Sequence, residues 1–132
     1  MYGAFMARRA SCRGEGVSDA TDLNAAVIQL GSYRGGFLWR NNSGATKIGN
    51  RFVRFGKKGS GDIIGVYHGY FCSLETKTPN DEASPEQVQF ALDVEAHGGF
   101  ACFVRDIDDA REFFERIDKH EAERNGKQVI PF

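Results

Sequence analysis

From Ser18 the apolar positions Leu23, Ala26, Val27 and Leu30 recur three and four residues apart, which predicts a helix ending before GSYRGG at 31–36. FLWRN, 37–41, reads as a first strand, and NNSGATKIGN, 41–50, as a loop. RFVRF, 51–55, alternates with the two-residue period of a second strand, with Arg51 and Arg54 on opposite faces. KKGSG, 57–61, breaks the chain. DIIGVY and YFCSLETK then flank His68 and Gly69, two residues that suffice for a tight turn, so 62–77 reads as an antiparallel hairpin.

Ser84, Pro85 and Gln87 stand where a capping box places an N-cap, an N1 proline and an N3 glutamine, opening a helix that runs to about His97 and stops at Gly98 and Gly99. FACFVR, 100–105, is a buried strand, and 106–123 is an amphipathic helix begun by Asp106 or Asp108. Residues 1–17 lack periodicity and read as a flexible arm, and 125–132 as a tail. The expected fold is therefore one α/β domain over 18–124, a mixed central sheet flanked by helices in the order α-β-β-β-β-α-β-α.

Composition changes this picture little. A chain of 132 residues, 41% hydrophobic with 11 Phe, can build one core. Phe37 and Trp39 are expected in it. No apolar run reaches membrane-spanning length and the start lacks a secretory signal, so a soluble, intracellular (cytoplasmic) protein is expected. Cys12, Cys72 and Cys102 have no CxxC spacing and read as reduced thiols rather than a disulfide frame or zinc site.

Charge adds more. Residues 1–77 carry 11 Lys/Arg against 5 Asp/Glu, and residues 78–132 carry 6 against 13, so the net charge of −1 conceals a basic first part suited to a polyanion. Arg40, Arg51, Arg54, Lys57 and Lys58 are its candidate phosphate contacts, with Asn42 beside them.

Charged side chains are depleted in strands, yet Asp62, Glu75 and Lys77 bracket the apolar hairpin. Glu75 and Lys77 share a strand face, and the hairpin returns Asp62 to Glu75. Such a triplet either faces solvent or faces a ligand. Two close carboxylates repel unless a cation joins them, and Mg²⁺ favours carboxylate oxygens with water and phosphate. A lysine beside them can neutralise charge on a phosphate, which points to metal-assisted phosphodiester hydrolysis. Gly59 and Gly61, either side of Ser60, read as room for a ligand to approach the backbone. The three histidines, His68, His97 and His120, show no metal-ligand or nucleophilic spacing.

The ordered set GDIIG, then ExK, then SPEQ, then GG before a strand resembles the VRR-NUC domain, the virus-type replication and repair nuclease branch of the PD-(D/E)XK superfamily, over roughly 35–110. RNNSG, 40–44, is similar to the segment after that family's first strand. The resemblance implies a restriction-endonuclease-like core and a Mg²⁺- or Mn²⁺-dependent, structure-specific DNA endonuclease. It also implies a Holliday junction resolvase-like homodimer, as in small phage-type members. By the same resemblance Asp62, Glu75 and the backbone carbonyl of Thr76 would bind the metal. Lys77 would activate water or stabilise the transition state, and Gln87 would join the site from the following helix. The family's first-helix acid has no Glu counterpart here, and Asp22 or Asp19 stands closest. A flap- or nick-type nuclease and a non-catalytic nucleic-acid-binding module are the alternatives.

Overall fold

The structure, a computed structural model, describes residues 20–127, so the expected N-terminal arm and most of the tail lie outside the described residues. The elements are α1 (Ala20–Tyr33), β1 (Phe37–Arg40), β2 (Gly44–Ile48), β3 (Arg51–Phe55), β4 (Ile63–Tyr67), β5 (Tyr70–Thr76), α2 (Pro85–Ala96), β6 (Phe100–Val104) and α3 (Ile107–Lys127). The order thus contains one strand more than expected. β2 forms within the stretch read as loop, and α1 and α3 run past their expected ends.

A mixed four-stranded sheet, β1-β4-β5-β6, carries the domain. β1/β4 and β4/β5 are antiparallel and β5/β6 is parallel. The parallel pair requires a crossover, which α2 supplies. The β4–β5 hairpin turns at His68 and Gly69, whose φ values of 53° and 82° give the two left-handed residues of a type I′ turn.

Alternation along the paired strands assigns the two faces. Leu38, Ile63, Tyr67, Cys72 and Leu74 face α1 and α3 and make the core with Val27, Phe114 and Ile117. Burial of each large side chain there contributes roughly 2 kcal/mol. Tyr67 meets Phe114 edge to face at 4.9 Å. The opposite face carries Phe71, Ser73 and Glu75, and α2 covers it only over β5 and β6. Phe37 and Trp39, expected in the core, therefore stay 70% and 43% exposed on that face, their rings 5.1 Å apart. Cys72 and Cys102 are buried free thiols, as read, while Cys12 lies outside the described residues.

β2 and β3 form a separate antiparallel ribbon, exposed on both faces. That is why β2 escaped a hydrophobic-pattern reading. No helix among the described residues is long and apolar enough to cross a membrane.

Candidate active site

Asp62 stands one residue before β4, where the register that pairs Ile63 with Leu74 sets it beside Glu75. Its position is fixed from both sides. The Asp62 carbonyl accepts from Asn41 N at 2.8 Å, and its Oδ2 accepts from Thr76 N at 3.1 Å and Thr76 Oγ1 at 2.7 Å. Thr76 is thus part of the constellation through its hydroxyl. Lys77 N donates to Val104 O on β6. In a trans peptide the carbonyl opposes the N–H, so the Thr76 carbonyl is directed to the β4 side, where Asp62 stands.

Glu75 and Lys77 meet Gln87 from the first turn of α2. Ser84 caps that helix: its hydroxyl accepts from Gln87 N at 3.2 Å, and Gln87 Oε1 accepts from Ser84 N at 3.0 Å. The same Oε1 accepts from Lys77 Nζ at 2.6 Å, and Gln87 Nε2 donates to Glu75 Oε2 at 2.8 Å. Both ends of the amide are assigned by these partners, oxygen to the cation and nitrogen to the carboxylate. Capping and site membership, alternatives from sequence, are both satisfied by one side chain. Lys77 Nζ also donates to Glu82 O at 3.4 Å and lies 3.9 Å from Glu75 Oε2.

The electrostatics are unbalanced. Lys77 and Glu75 side chains are only 8% and 12% exposed. Burial, reinforced by the Asp62 charge and opposed by Lys77, pushes the Glu75 carboxyl up to about 7. Glu75 Oε1 is buried and has no hydrogen-bond partner among the described residues. An ionised carboxylate with an unmatched buried oxygen is costly, and a hard cation or a protonated donor relieves that cost. Asp62, Glu75 and the Thr76 carbonyl are all oxygen donors, so the residues present fit Mg²⁺ or Mn²⁺.

Asp22, the first-helix acid, lies in the first turn of α1. It is exposed there, and among the described residues no group of three or more His, Cys, Asp or Glu side chains forms a metal cluster. Asp19 lies outside the described residues. The buried polar residue of this helix is Asn24, 3% exposed with an unpartnered Oδ1 and roughly 200° around the helix from Asp22. Sequence reasoning missed it. The signal was there: Asn24, Val27 and Gly31 follow the spacing of one helix face, and all three are buried. Arg34, just past the end of α1, bonds Tyr67 and Asp118 at the turn end of the hairpin, so the Asn24 end of α1 extends toward the Asp62 end.

The two glycines before Asp62 serve the chain itself rather than a ligand. Gly59, at φ +86°, lodges against α2, where a Cβ would come within 2.4 Å of Glu86 O. A Cβ on Gly61 would meet Ser73 Oγ at 2.5 Å. Arg40 and Asn42 lie at the exposed end of β1 and just beyond it, and Arg51 and Arg54 lie on β3. Lys57 and Lys58 follow on the return segment, with Lys58 Nζ 3.6 Å from Glu86 Oε2. These six are exposed and stand outside the Asp62–Glu75–Lys77–Gln87 set. His68 is the turn residue, His97 the C-cap of α2, and His120 packs on Tyr70 and Phe100.

Set against known proteins, the chain matches no family model and no curated protein.

Proposed function

We propose that this chain is a Mg²⁺- or Mn²⁺-dependent DNA endonuclease of the VRR-NUC branch of the PD-(D/E)XK superfamily. It hydrolyses a phosphodiester to leave a 5′-phosphate, with branched DNA such as a four-way junction as substrate. The observation that carries this reading is Glu75. It is a largely buried carboxylate beside a second carboxylate, with one oxygen buried and unmatched and the other held by the glutamine that also holds Lys77. A structural ion pair needs no such surplus of negative charge.

Asp62, Glu75 and the Thr76 carbonyl would hold the cation, which supplies Lewis-acid polarisation of the phosphate and an acidified water. Lys77, kept in place by Gln87 Oε1 and Glu82 O, offers its ammonium to the phosphoryl oxygens or orients the attacking water. Gln87 keeps Lys77 and Glu75 at a fixed separation. The basic side chains between Arg40 and Lys58 favour the phosphate backbone. Paired cuts across a junction call for two sites, which a two-fold dimer supplies.

The test uses purified protein with labelled four-way junction, flap, single-stranded and linear duplex DNA in Mg²⁺, Mn²⁺ or EDTA, and Lys77→Ala beside wild type. The expected result is paired, symmetric junction cuts, absent in EDTA and reduced about 10²–10³-fold in Lys77→Ala. Intact DNA in every reaction overturns the reading in favour of a binding module. Light scattering on and off junction DNA checks the dimer, and a monomer in both states removes it.

A further inference from the structure

The β2–β3 ribbon is left without a role by the catalytic set, and it is unusual in composition and placement. From Arg40 to Lys58 the chain carries six Lys/Arg and no Asp/Glu. Both strands are exposed along their whole length and pack chiefly on each other. Among the described residues, Lys47, Arg51 and Arg54 form no ion pair. A two-stranded ribbon has little stability by itself in water, so one that exposes large apolar side chains is suited to a partner.

The register sorts these side chains. Lys47 pairs with Phe52 and Ala45 with Arg54, so one face presents Phe52 between two cations. The other face carries Phe55, Val53 and Thr46, with Ile48 opposite Arg51. Phe52 is 76% exposed and stands one strand pair back from the Gly49–Asn50 tip. An aromatic ring flanked by cations is the composition that binds nucleic acid through phosphates and an unstacked base.

The ribbon is also rooted at the candidate site. Asn41, at its entry, donates through its side chain to Ser60 Oγ at 2.7 Å and Gly61 O at 2.9 Å, and through its backbone to Asp62 O at 2.8 Å. The two stems are thereby joined within one residue of the Asp62 carboxylate. Five-residue strands reach about 15 Å from that root. A strand lying across Asp62 and Glu75 passes within the ribbon's reach.

We infer that the β2–β3 ribbon is a second nucleic-acid contact. In it Lys47 and Arg54 grip phosphates and Phe52 stacks on an unpaired base, so that it selects DNA with an open or branched strand over linear duplex. This deepens the nuclease reading and rests on it for the substrate. A second copy of this chain is a poorer occupant of this face, because two such ribbons meeting would set like charges together.

Fluorescence anisotropy tests it with labelled single-stranded, forked and linear duplex DNA, using the full chain carrying Lys77→Ala in Mg²⁺ so that cleavage is slow against the binding measurement. Adding Phe52→Ala is expected to weaken binding of single-stranded and forked DNA about tenfold or more, with duplex binding within about twofold. Phe52→Trp is expected to restore it. Lys47→Ala with Arg54→Ala is expected to weaken every DNA and to reduce the slope of log affinity against log salt by about 1.5–2. Circular dichroism melts check that the variants fold.

Equal binding by Phe52→Ala overturns the inference, as does a loss of equal size on all three DNAs. Loss of a dimer in Phe52→Ala with DNA affinities unchanged makes the ribbon a subunit contact and equally overturns it. Failure of the nuclease reading looks different: wild type binds with the Phe52 preference and cuts nothing. Junction cutting by wild type with Phe52→Ala binding as wild type removes the ribbon's role and leaves the nuclease reading standing.

Discussion

The two ends of the β4–β5 hairpin each carry a polar cluster, and they are balanced in opposite ways. At the turn end one carboxylate, Asp118, has three partners: Arg34 at 2.7 Å, Tyr67 Oη at 2.7 Å and His68 Nε2 at 3.0 Å. Burial works against its charge, but the hydrogen bonds from Tyr67, Arg34 and His68 outweigh it and hold the carboxyl below its ordinary range. At the open end two carboxylates share few donors, and burial lifts Glu75 to about 7. One cluster fastens the hairpin to α3. The other leaves electrostatic demand unmet, which is how a protein makes a place for a cation or a shifted acid.

Removing a carboxylate at each end should therefore change stability with opposite signs. Glu75 binds its proton more tightly folded than unfolded, so its stabilising effect is complete below about 4.5 and is lost as pH rises through about 7. Metal-free protein is expected to lose on the order of 3 kcal/mol across that window from this group. Glu75→Gln, which mimics the protonated carboxyl, should flatten the slope and stabilise the protein at pH 8. Asp118 is depressed, so its contribution is present at neutral pH and lost as pH falls below its unfolded value near 3.8. Asp118→Asn should destabilise by about 1–2 kcal/mol at pH 7, solvent screening having been allowed for. Urea melts of both variants from pH 5 to 8 provide the check, and destabilisation by both at pH 8 would dissolve the contrast.

A divalent cation sharpens the comparison further. Mn²⁺ or Mg²⁺ at about a hundred times its dissociation constant should stabilise the fold by roughly 2.7 kcal/mol at pH 8. The gain should be smaller at pH 5.5, where Glu75 is protonated and must release its proton, and absent in Glu75→Gln. Asp118→Asn should keep it. Differential scanning fluorimetry with and without EDTA separates these cases.

The smallest effect divides the two duties of Gln87. Ser84→Ala removes the cap alone and should cost about 1 kcal/mol while leaving cleavage within a few-fold. Gln87→Ala removes the cap's return bond together with the links to Lys77 and Glu75. It should cost a similar amount of stability and slow cleavage at least about tenfold. Equal cleavage by both variants would reduce Gln87 to a capping residue.

What sequence could foresee follows from how local each feature is. The hairpin was legible because apolar alternation flanks a His–Gly pair suited to left-handed φ. The start of α2 was legible because SPEQ spells its own hydrogen bonds, and Asp62, Glu75 and Lys77 could be placed because a tight hairpin fixes register. Features set by distant packing were not. Phe37 and Trp39 look like core until α2 is seen to stop short of β1. β2 is all exposed, so no burial pattern announces it. Asn24 was passed over because an acid was sought on the first helix, whereas the buried polar group there is an amide.

Gly59 also divides the chain into a cassette and a socket. The carbonyl of Glu86 occupies the space that a Cβ would need, so the return segment at 57–61 accepts no ordinary side chain at that point. Between Asn42 and Gly56, by contrast, every residue is exposed. Apart from Gly49 and Gly56, whose φ values of 63° and 73° favour glycine, length and composition can vary there without disturbing the core, as is usual for surface segments. Ribbons of other reach could therefore be grafted between Asn41 and Lys57 while Asp62 keeps its seat.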